Sequence, residues 1–348
     1  MASTRPRTRQ CWRRTDDYTP GTPKLQLVTE DLPTKLSPCQ VMIRVHAVAL
    51  NYRDANISHG GNPWPVTPNG IICNDAAGEV IEVGEAVLRF KVGDRAAPNT
   101  DSENITGREA RRSWLAADED GVLADYLVFD ESKIAKLPSH LDWTEASIIP
   151  CAGVTAWSAL KGLQVGQTAL IQGTGGVAMF AIKIAQTAGC RAILTSSSDE
   201  KLEEIAKKFT AAPILTINYK NSKWHEEVLR LTNGEGVDVV VENGGTGSLV
   251  QSIQCTRRGG IVSQVGYLGK QNPGDLKELL PTLIDRRVNL RGINAGSVRD
   301  LEDLVTAAST MKMRFFDIID RVFPFSQSEE ALDYLWNGKQ VGKIVLRL

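Results

Sequence analysis

The chain has 348 residues, 42% hydrophobic and 23% charged, with a formal net charge of −1. That length suggests two domains, and the near-neutral balance gives no electrostatic reason to expect nucleic acid or an anionic membrane as partner. No apolar run approaches the roughly 18 residues of a membrane-spanning helix, and the six cysteines are scattered without a CxxC pair, which argues against a disulfide framework or a four-cysteine zinc lobe.

The N-terminus, MASTRPRTRQCWRR, is arginine-rich and has no acid before Asp16. A mitochondrial presequence can look like this, but Pro6 interrupts an amphipathic helix and there is no signal-peptide core. A surface terminus leading into a first strand, in a cytoplasmic protein, is the preferred reading. Residues 40–50, 77–83 and 123–129 show strand patterns, with turns at Gly84 and Gly93-Asp94. They predict a β-rich, antiparallel, partly barrel-like domain. Residues 99–121 are polar and glycine-punctuated and read as a solvated loop.

At Asp142 the grammar changes. Asp142 and Glu145 form a capping-box pattern, and a second helix pattern runs from Gly153 to Gly162. Apolar strands at 168–172, 191–195, 213–217, 237–241, 261–265 and 288–293 then alternate with helices near 176–188, 199–208, 222–232, 246–254 and 276–286. Six strands alternating with helices predict a doubly wound parallel α/β sheet. A last helix near 326–337 and a strand near 343–347 return to the first grammar and could pair back onto the N-terminal domain. The expected domains are therefore 1–141 completed by 296–348, and 142–295.

Residues 166–201 carry the most specific local pattern: strand, glycine turn, helix, strand. The turn is Gly173-Thr174-Gly175-Gly176, followed by Val177, with Ala178 in the third position of a G-x-G-x-x-G/A motif. Glycines admit a pyrophosphate close to the backbone, and the helix N-terminus presents free N–H groups to it. The end of the next strand bears on which dinucleotide binds. Sites for NAD usually carry an acid there for the ribose hydroxyls. This chain has Ser196, Ser197 and Ser198, then Lys201. Hydroxyls can donate to a 2′-phosphate and a lysine can neutralise it, so NADP(H) is expected ahead of NAD(H). The competing reading makes the serines a helix cap.

The segments VHAVALNYRD (45–54), DAAGEVIEVG (75–84), VGDRA (92–96), PCAGVTAWSAL (150–160), GVDVVVENGG (236–245) and GKIV (342–345), with the glycine turn, span nearly the full chain. Together they resemble the medium-chain dehydrogenase/reductase superfamily, and within it the zinc-free quinone oxidoreductase and enoyl reductase-like branch. The resemblance implies a GroES-like catalytic domain built from both chain ends, a Rossmann domain inserted between them, and a nicotinamide held in the cleft. Zinc-dependent members carry Cys, His-Glu and Cys. Here those positions hold Asn51, Asn74-Asp75 and Cys151, a poor donor set for zinc, so no metal is expected.

Without a Lewis acid, conjugate reduction of an enone, enoyl group or quinone is more accessible than carbonyl reduction or alcohol oxidation. The resemblance places Asn51 and Tyr52 beside the nicotinamide, where either could donate to the substrate oxygen. It also places Thr155 on the nicotinamide side, and these three are the catalytic candidates. Asn243, Gly266, Tyr267 and Asn294 follow successive strands of the parallel sheet, where ligands lie. Lys343 is a candidate contact for the cofactor or a substrate group. Arg53 and Asp54 read as an ion pair at a helix start, and Cys73 as a buried, inert thiol. The alternatives are an alcohol dehydrogenase or carbonyl reductase, and a non-catalytic NADP(H)-binding regulator. A small-molecule substrate is expected, and a homodimer through the sheet edge is compatible with the apolar 261–265 and 288–293 segments.

Overall fold

The structure is a computed structural model describing residues 5–221 and 223–348. The first four residues of the arginine-rich terminus, and Ser222 at the expected start of one helix, lie outside the described residues. The chain divides into two compact units, Met1–Val154 with Gly296–Leu348, and Thr155–Ala295.

The first unit is organised on the long strand Gln40–Leu50. Its seven-stranded sheet runs, by neighbour, Ile319–Pro324, Lys343–Arg347, Gln40–Leu50, Asp75–Val83, Arg95–Pro98 and Ile134–Lys136, with Tyr126–Asp130 also paired to Gln40–Leu50. The C-terminal strand joins antiparallel, with Ile344 opposite Leu50. One further step along that register brings Lys343 to Asn51. On the other side, Ala49 lies opposite Asp75. Two segments far apart in sequence thus deliver a lysine and an aspartate to the same end of one strand. Val41, Ile43, Val45, Val48 and Leu50 pack there with Ile71, Leu123, Ile344 and Leu346.

The domain boundary expected at 141/142 moves to the far side of Val154. The reason is packing: the helix Trp143–Ser147, capped by Asp142 and Glu145 as its sequence predicts, lies on the strands Gln40–Leu50 and Asp75–Val83. Its Glu145 carboxylate also accepts from the backbone N–H groups of Phe315 and Phe316 and pairs with Arg314. Residues 99–121 are not simply a solvated loop either. Asn99–Ser102 and Leu115–Ala117 are buried, and the exposed positions are 106–112 and Asp118. Asn99 anchors it, donating to the carbonyls of Asp101 and Gly296.

In the second unit six strands pair in parallel in the order Ile214–Asn218, Arg191–Ser196, Thr168–Gln172, Val237–Glu242, Thr256–Gln264 and Asn289–Gly292. This is the doubly wound sheet that the alternation predicts. The fifth strand starts earlier than the apolar run at 261 because its register shifts at a Gly259-Gly260 irregularity, Gly259 lying at φ +73°. Leu170, Ile193, Val240 and Val262 fill the core. The strand order reverses at Thr168–Gln172 and Val237–Glu242, and in such sheets ligands bind beyond the carboxyl ends at that point. Among the described residues no helix is long and apolar enough to cross a membrane.

Candidate active site and dinucleotide cradle

In the second unit the turn Gly173–Gly176 leaves the first strand directly into the helix Gly176–Thr187. Gly173 has φ +86°, a conformation that only glycine adopts cheaply. A Cβ placed on Gly173 or Gly175 meets nothing within 4 Å. The space over the turn is therefore open for another group rather than filled by protein. The helix carries no acid in its first turn, so nothing of its own compensates the positive end of its dipole. Ala178 is buried against the sheet, 2% exposed, which is the close packing its motif position requires. Thr174 and Val177 are partly buried. These residues fit a dinucleotide pyrophosphate.

The strand ends around the turn are held by a buried carboxylate that motif reading missed. Glu242 is 0% exposed. It accepts from Gln172 Nε2 at 2.7 Å, Ser248 Oγ at 2.6 Å, the N–H groups of Gly244 and Gly245 at 2.7 and 3.1 Å, and Ser252 Oγ. Gln172 in turn accepts from the Asn243 N–H at 3.0 Å, and Asn243 Nδ2 donates to the Gln172 carbonyl at 2.8 Å. Asn243 thus shapes the crevice by tying two strand ends together. The only hint in sequence is an acid closing the apolar run VDVVVE. Thr155 is buried on the helix Val154–Leu160, while Tyr267 and Asn294 are exposed at the ends of later strands. The Gly266 carbonyl accepts from Gln264 Nε2.

The serine cluster divides by role. Ser198 is the N-cap of the helix Asp199–Lys208. Its hydroxyl accepts from the Lys201 N–H at 3.2 Å and donates to Glu200 Oε2 at 2.6 Å. Its expected part in cofactor binding is corrected to capping. Ser196 closes the second strand, buried, with Oγ accepting from the Ser198 N–H at 3.3 Å. Ser197 and Lys201 are partly exposed beside it.

The first unit holds a different arrangement. Lys343 and Asp75 are 3% and 0% exposed and pair at 2.8 Å. Lys343 Nζ donates also to the Leu50 carbonyl at 2.8 Å and to Asn51 Oδ1 at 2.7 Å. All three ammonium hydrogens are thereby used, so Lys343 is not a cofactor or substrate contact. Asn51 Nδ2 donates to Asp75 Oδ2 at 2.9 Å and to Asn74 Oδ1 at 2.8 Å. Both amide hydrogens are committed, so Asn51 is corrected from a substrate donor to a structural link. The other Asp75 oxygen accepts the Cys151 N–H. Tyr52 opens the helix Tyr52–Ser58 and is 46% exposed, outside this network.

Arg53 and Asp54 do not form the expected ion pair. Arg53 donates to the Leu115 carbonyl, while Asp54 accepts the Asn51 N–H at 2.7 Å. Burial pushes the Asp54 carboxyl up to about 6. Cys73 is fully buried, and burial lifts its thiol well above the ordinary value.

This locus does not suit zinc. Cys151 is the one soft donor at these positions, where a zinc site wants three good protein ligands. Asn51 and Asn74 are neutral amides, and Asp75 is occupied by a lysine and an N–H. Among the described residues no three His, Cys, Asp or Glu side chains gather into a potential metal site.

Residues 37–139 match the family described as Alcohol dehydrogenase GroES-like domain, and residues 176–310 the family described as Zinc-binding dehydrogenase. A zinc-type alcohol dehydrogenase-like protein of Schizosaccharomyces pombe is 36% identical, over 95% of this chain and 97% of its own. A crystal structure from Sinorhizobium meliloti 1021, classed as an alcohol dehydrogenase, matches with TM-score 0.87 and 33% identity, over 99% of this chain and 100% of its own. The 2-octenoyl-CoA carboxylase reductase of a Streptomyces species, solved with NADP and 2-octenoyl-CoA, shares the fold with TM-score 0.82 at 21% identity, over 99% of this chain and 89% of its own.

Proposed function

The chain belongs to the medium-chain dehydrogenase/reductase superfamily and is an NAD(P)-dependent oxidoreductase, and from that premise we propose that it reduces an activated C=C bond or a quinone with NADPH, without zinc. The observation that carries this reading is the Lys343–Asp75–Asn51 network. A protein cation holds the carboxylate that a metal site would need, and the flanking groups are the amides of Asn51 and Asn74. Without a Lewis acid, a substrate that already delocalises incoming charge is the better acceptor.

A bound nicotinamide supplies the hydride. The glycine turn accommodates the pyrophosphate, and Ser196, Ser197 and Lys201 favour a 2′-phosphate. Thr155, Asn243, Gly266, Tyr267 and Asn294 belong to the nicotinamide side of the proposal. The test is a titration with NADPH and NADH, followed by NADPH oxidation against a panel of enones and quinones. Tighter NADH binding sinks the cofactor choice, and turnover of no member of the panel sinks the reaction class.

Alcohol or carbonyl chemistry is the second reading, favoured by the names of the similar proteins from S. pombe and S. meliloti. Stoichiometric zinc in the purified protein decides for it. A cytoplasmic homodimer completes the proposal. Leu280 and Ile284, 66% and 74% exposed on the helix Leu279–Arg286, would lie in its interface, and sedimentation measures the mass.

A further inference from the structure

A cavity of about 680 Å³ is lined by the loop 18–24, by His59 at the end of the helix Tyr52–Ser58, and by the helix Ser328–Trp336 with Asn337. Every residue lining it belongs to the first unit, so its wall is complete within one compact body. Its volume lies within the range of small-molecule pockets, about 300–1,000 Å³.

Tyr18, His59 and Trp336 bring aromatic rings to the wall, and the chain holds them in place. Gly60 lies at φ +73°, and a Cβ there would meet the Tyr18 ring at 3.0 Å. The bare glycine thus lets that ring rest on the backbone. His59 Nδ1 donates to the Ala55 carbonyl at 2.8 Å, since a carbonyl only accepts. The His59 ring stacks on Trp336 with centroids 4.0 Å apart and planes at 7°. Tyr18 and Trp336 are nonetheless 47% and 42% exposed, so both keep surface for a ligand.

Charge narrows the class of that ligand. Glu329 and Asp333 line the cavity with one ammonium, that of Lys24. Lys24 is 4% exposed, and its ammonium donates to the carbonyls of Asp17 and Thr19 at 2.8 and 2.6 Å and to Thr22 Oγ1 at 3.2 Å. Its hydrogens are spent on fixing the loop. The Glu329 oxygens accept from the N–H groups of Lys24 and Leu25 at 2.7 and 2.8 Å, which are neutral partners. Among the described residues neither carboxylate has an ion-pair partner. An anion would meet both carboxylates, whereas a cation with an apolar shell suits them and the negative faces of the rings together.

We propose that this cavity binds an organic cation, an alkylammonium that lies against the Tyr18 and Trp336 rings with Asp333 and Glu329 as its counter-charge. The assignment is independent of the reductase reading, because neither the dinucleotide cradle nor any substrate takes part. His59 is the C-cap of the helix whose N-cap is Asn51, so the cavity and the Lys343 cluster lie at the two ends of one helix.

The test uses the full-length protein and two probes of the same shape, choline and 3,3-dimethylbutan-1-ol, in which carbon replaces the charged nitrogen. Isothermal titration reads binding. Choline saturates one site, and the alcohol binds it at least about tenfold more weakly, as loss of a cation–π contact requires. Tyr18→Leu keeps apolar bulk without the ring face and weakens choline about tenfold. Asp333→Asn keeps the shape without the charge and weakens choline about threefold. Both side chains are exposed, and circular dichroism checks that each variant is folded. Trp336→Leu, a third variant, gives the same loss as Tyr18→Leu.

Equal affinity for choline and its isostere overturns the proposal, because the cavity then selects shape and not charge. Choline binding that none of the three variants weakens overturns it too, since the cation then sits elsewhere. Failure of choline to approach saturation by about 10 mM has the same consequence.

Discussion

The glycine turn and the Lys343 cluster solve opposite problems. The turn is built from contiguous residues, and over Gly173 and Gly175 it is open space. It serves by what it leaves out. The Lys343 cluster draws on the ends of strands distant in sequence, is nearly dry, and has almost every donor and acceptor matched. It serves by what it saturates. A polar site of the second kind is welded to the fold, because removing one member strands the others in a low dielectric. A site of the first kind can be altered without the fold noticing.

Four substitutions sharpen that contrast, each an expectation with its measurement. Lys343→Met leaves the Asp75 carboxylate buried without its cation and lowers unfolding free energy by about 3–5 kcal/mol. Urea denaturation reads the loss, and the double variant with Asp75→Asn recovers much of it. If Lys343→Met unfolds at the wild-type midpoint, the cluster is not welded to the fold.

Asp54 probes the same region through pH. Its folded carboxyl is pushed up to about 6 by burial, above the ordinary unfolded value. The folded state therefore holds an extra proton between about pH 4 and 6, and its stability falls as pH rises through that window, then levels. Asp54→Asn removes this dependence. The variant gains up to about 3 kcal/mol relative to wild type on going from pH 4 to pH 8. Denaturation curves at the two pH values check the sign, and a gain at the acid end contradicts it.

Gly175→Val tests the open turn. The residue lies at φ −86° and ψ −177°, a region that valine accepts, so the melting temperature stays near wild type. The side chain fills the space over the turn and costs about 100-fold in NADPH affinity, as expected for loss of two charge-assisted hydrogen bonds. Lys201→Ala gives the smallest effect, about tenfold weaker NADPH binding with NADH unchanged. Isothermal titration reads both, and equal weakening of the two cofactors removes Lys201 from the 2′-phosphate.

What was legible in sequence follows the same division. The βαβ unit at 166–201 announces itself because strand, glycine turn and helix are neighbours in the chain. The capping box at Asp142 is local too, and the structure contains it as read. The Ser196–Ser198 run is ambiguous in sequence because serine suits both a cap and a phosphate. Only the helix start at Asp199 assigns Ser198 to the cap. Glu242 was illegible: its partners Gln172, Ser248 and Ser252 reach it through helix and sheet packing, not through spacing. Lys343 could be placed near the site but not given a role, since its partners come from residues 50, 51 and 75.

Local order of residue types, then, was enough to determine the doubly wound sheet, the glycine cradle and a donor set unsuited to zinc. Those properties depend on backbone conformation and side-chain chemistry, which neighbours in the chain specify. Tertiary structure alone decided where the donor hydrogens go. Both Asn51 amide hydrogens and all three of Lys343 are spent, on partners at residues 50, 51, 74 and 75. That outcome rests on the antiparallel register setting Ile344 opposite Leu50 and Asp75 opposite Ala49, and a hydrogen-bond direction exists only once both partners are in place.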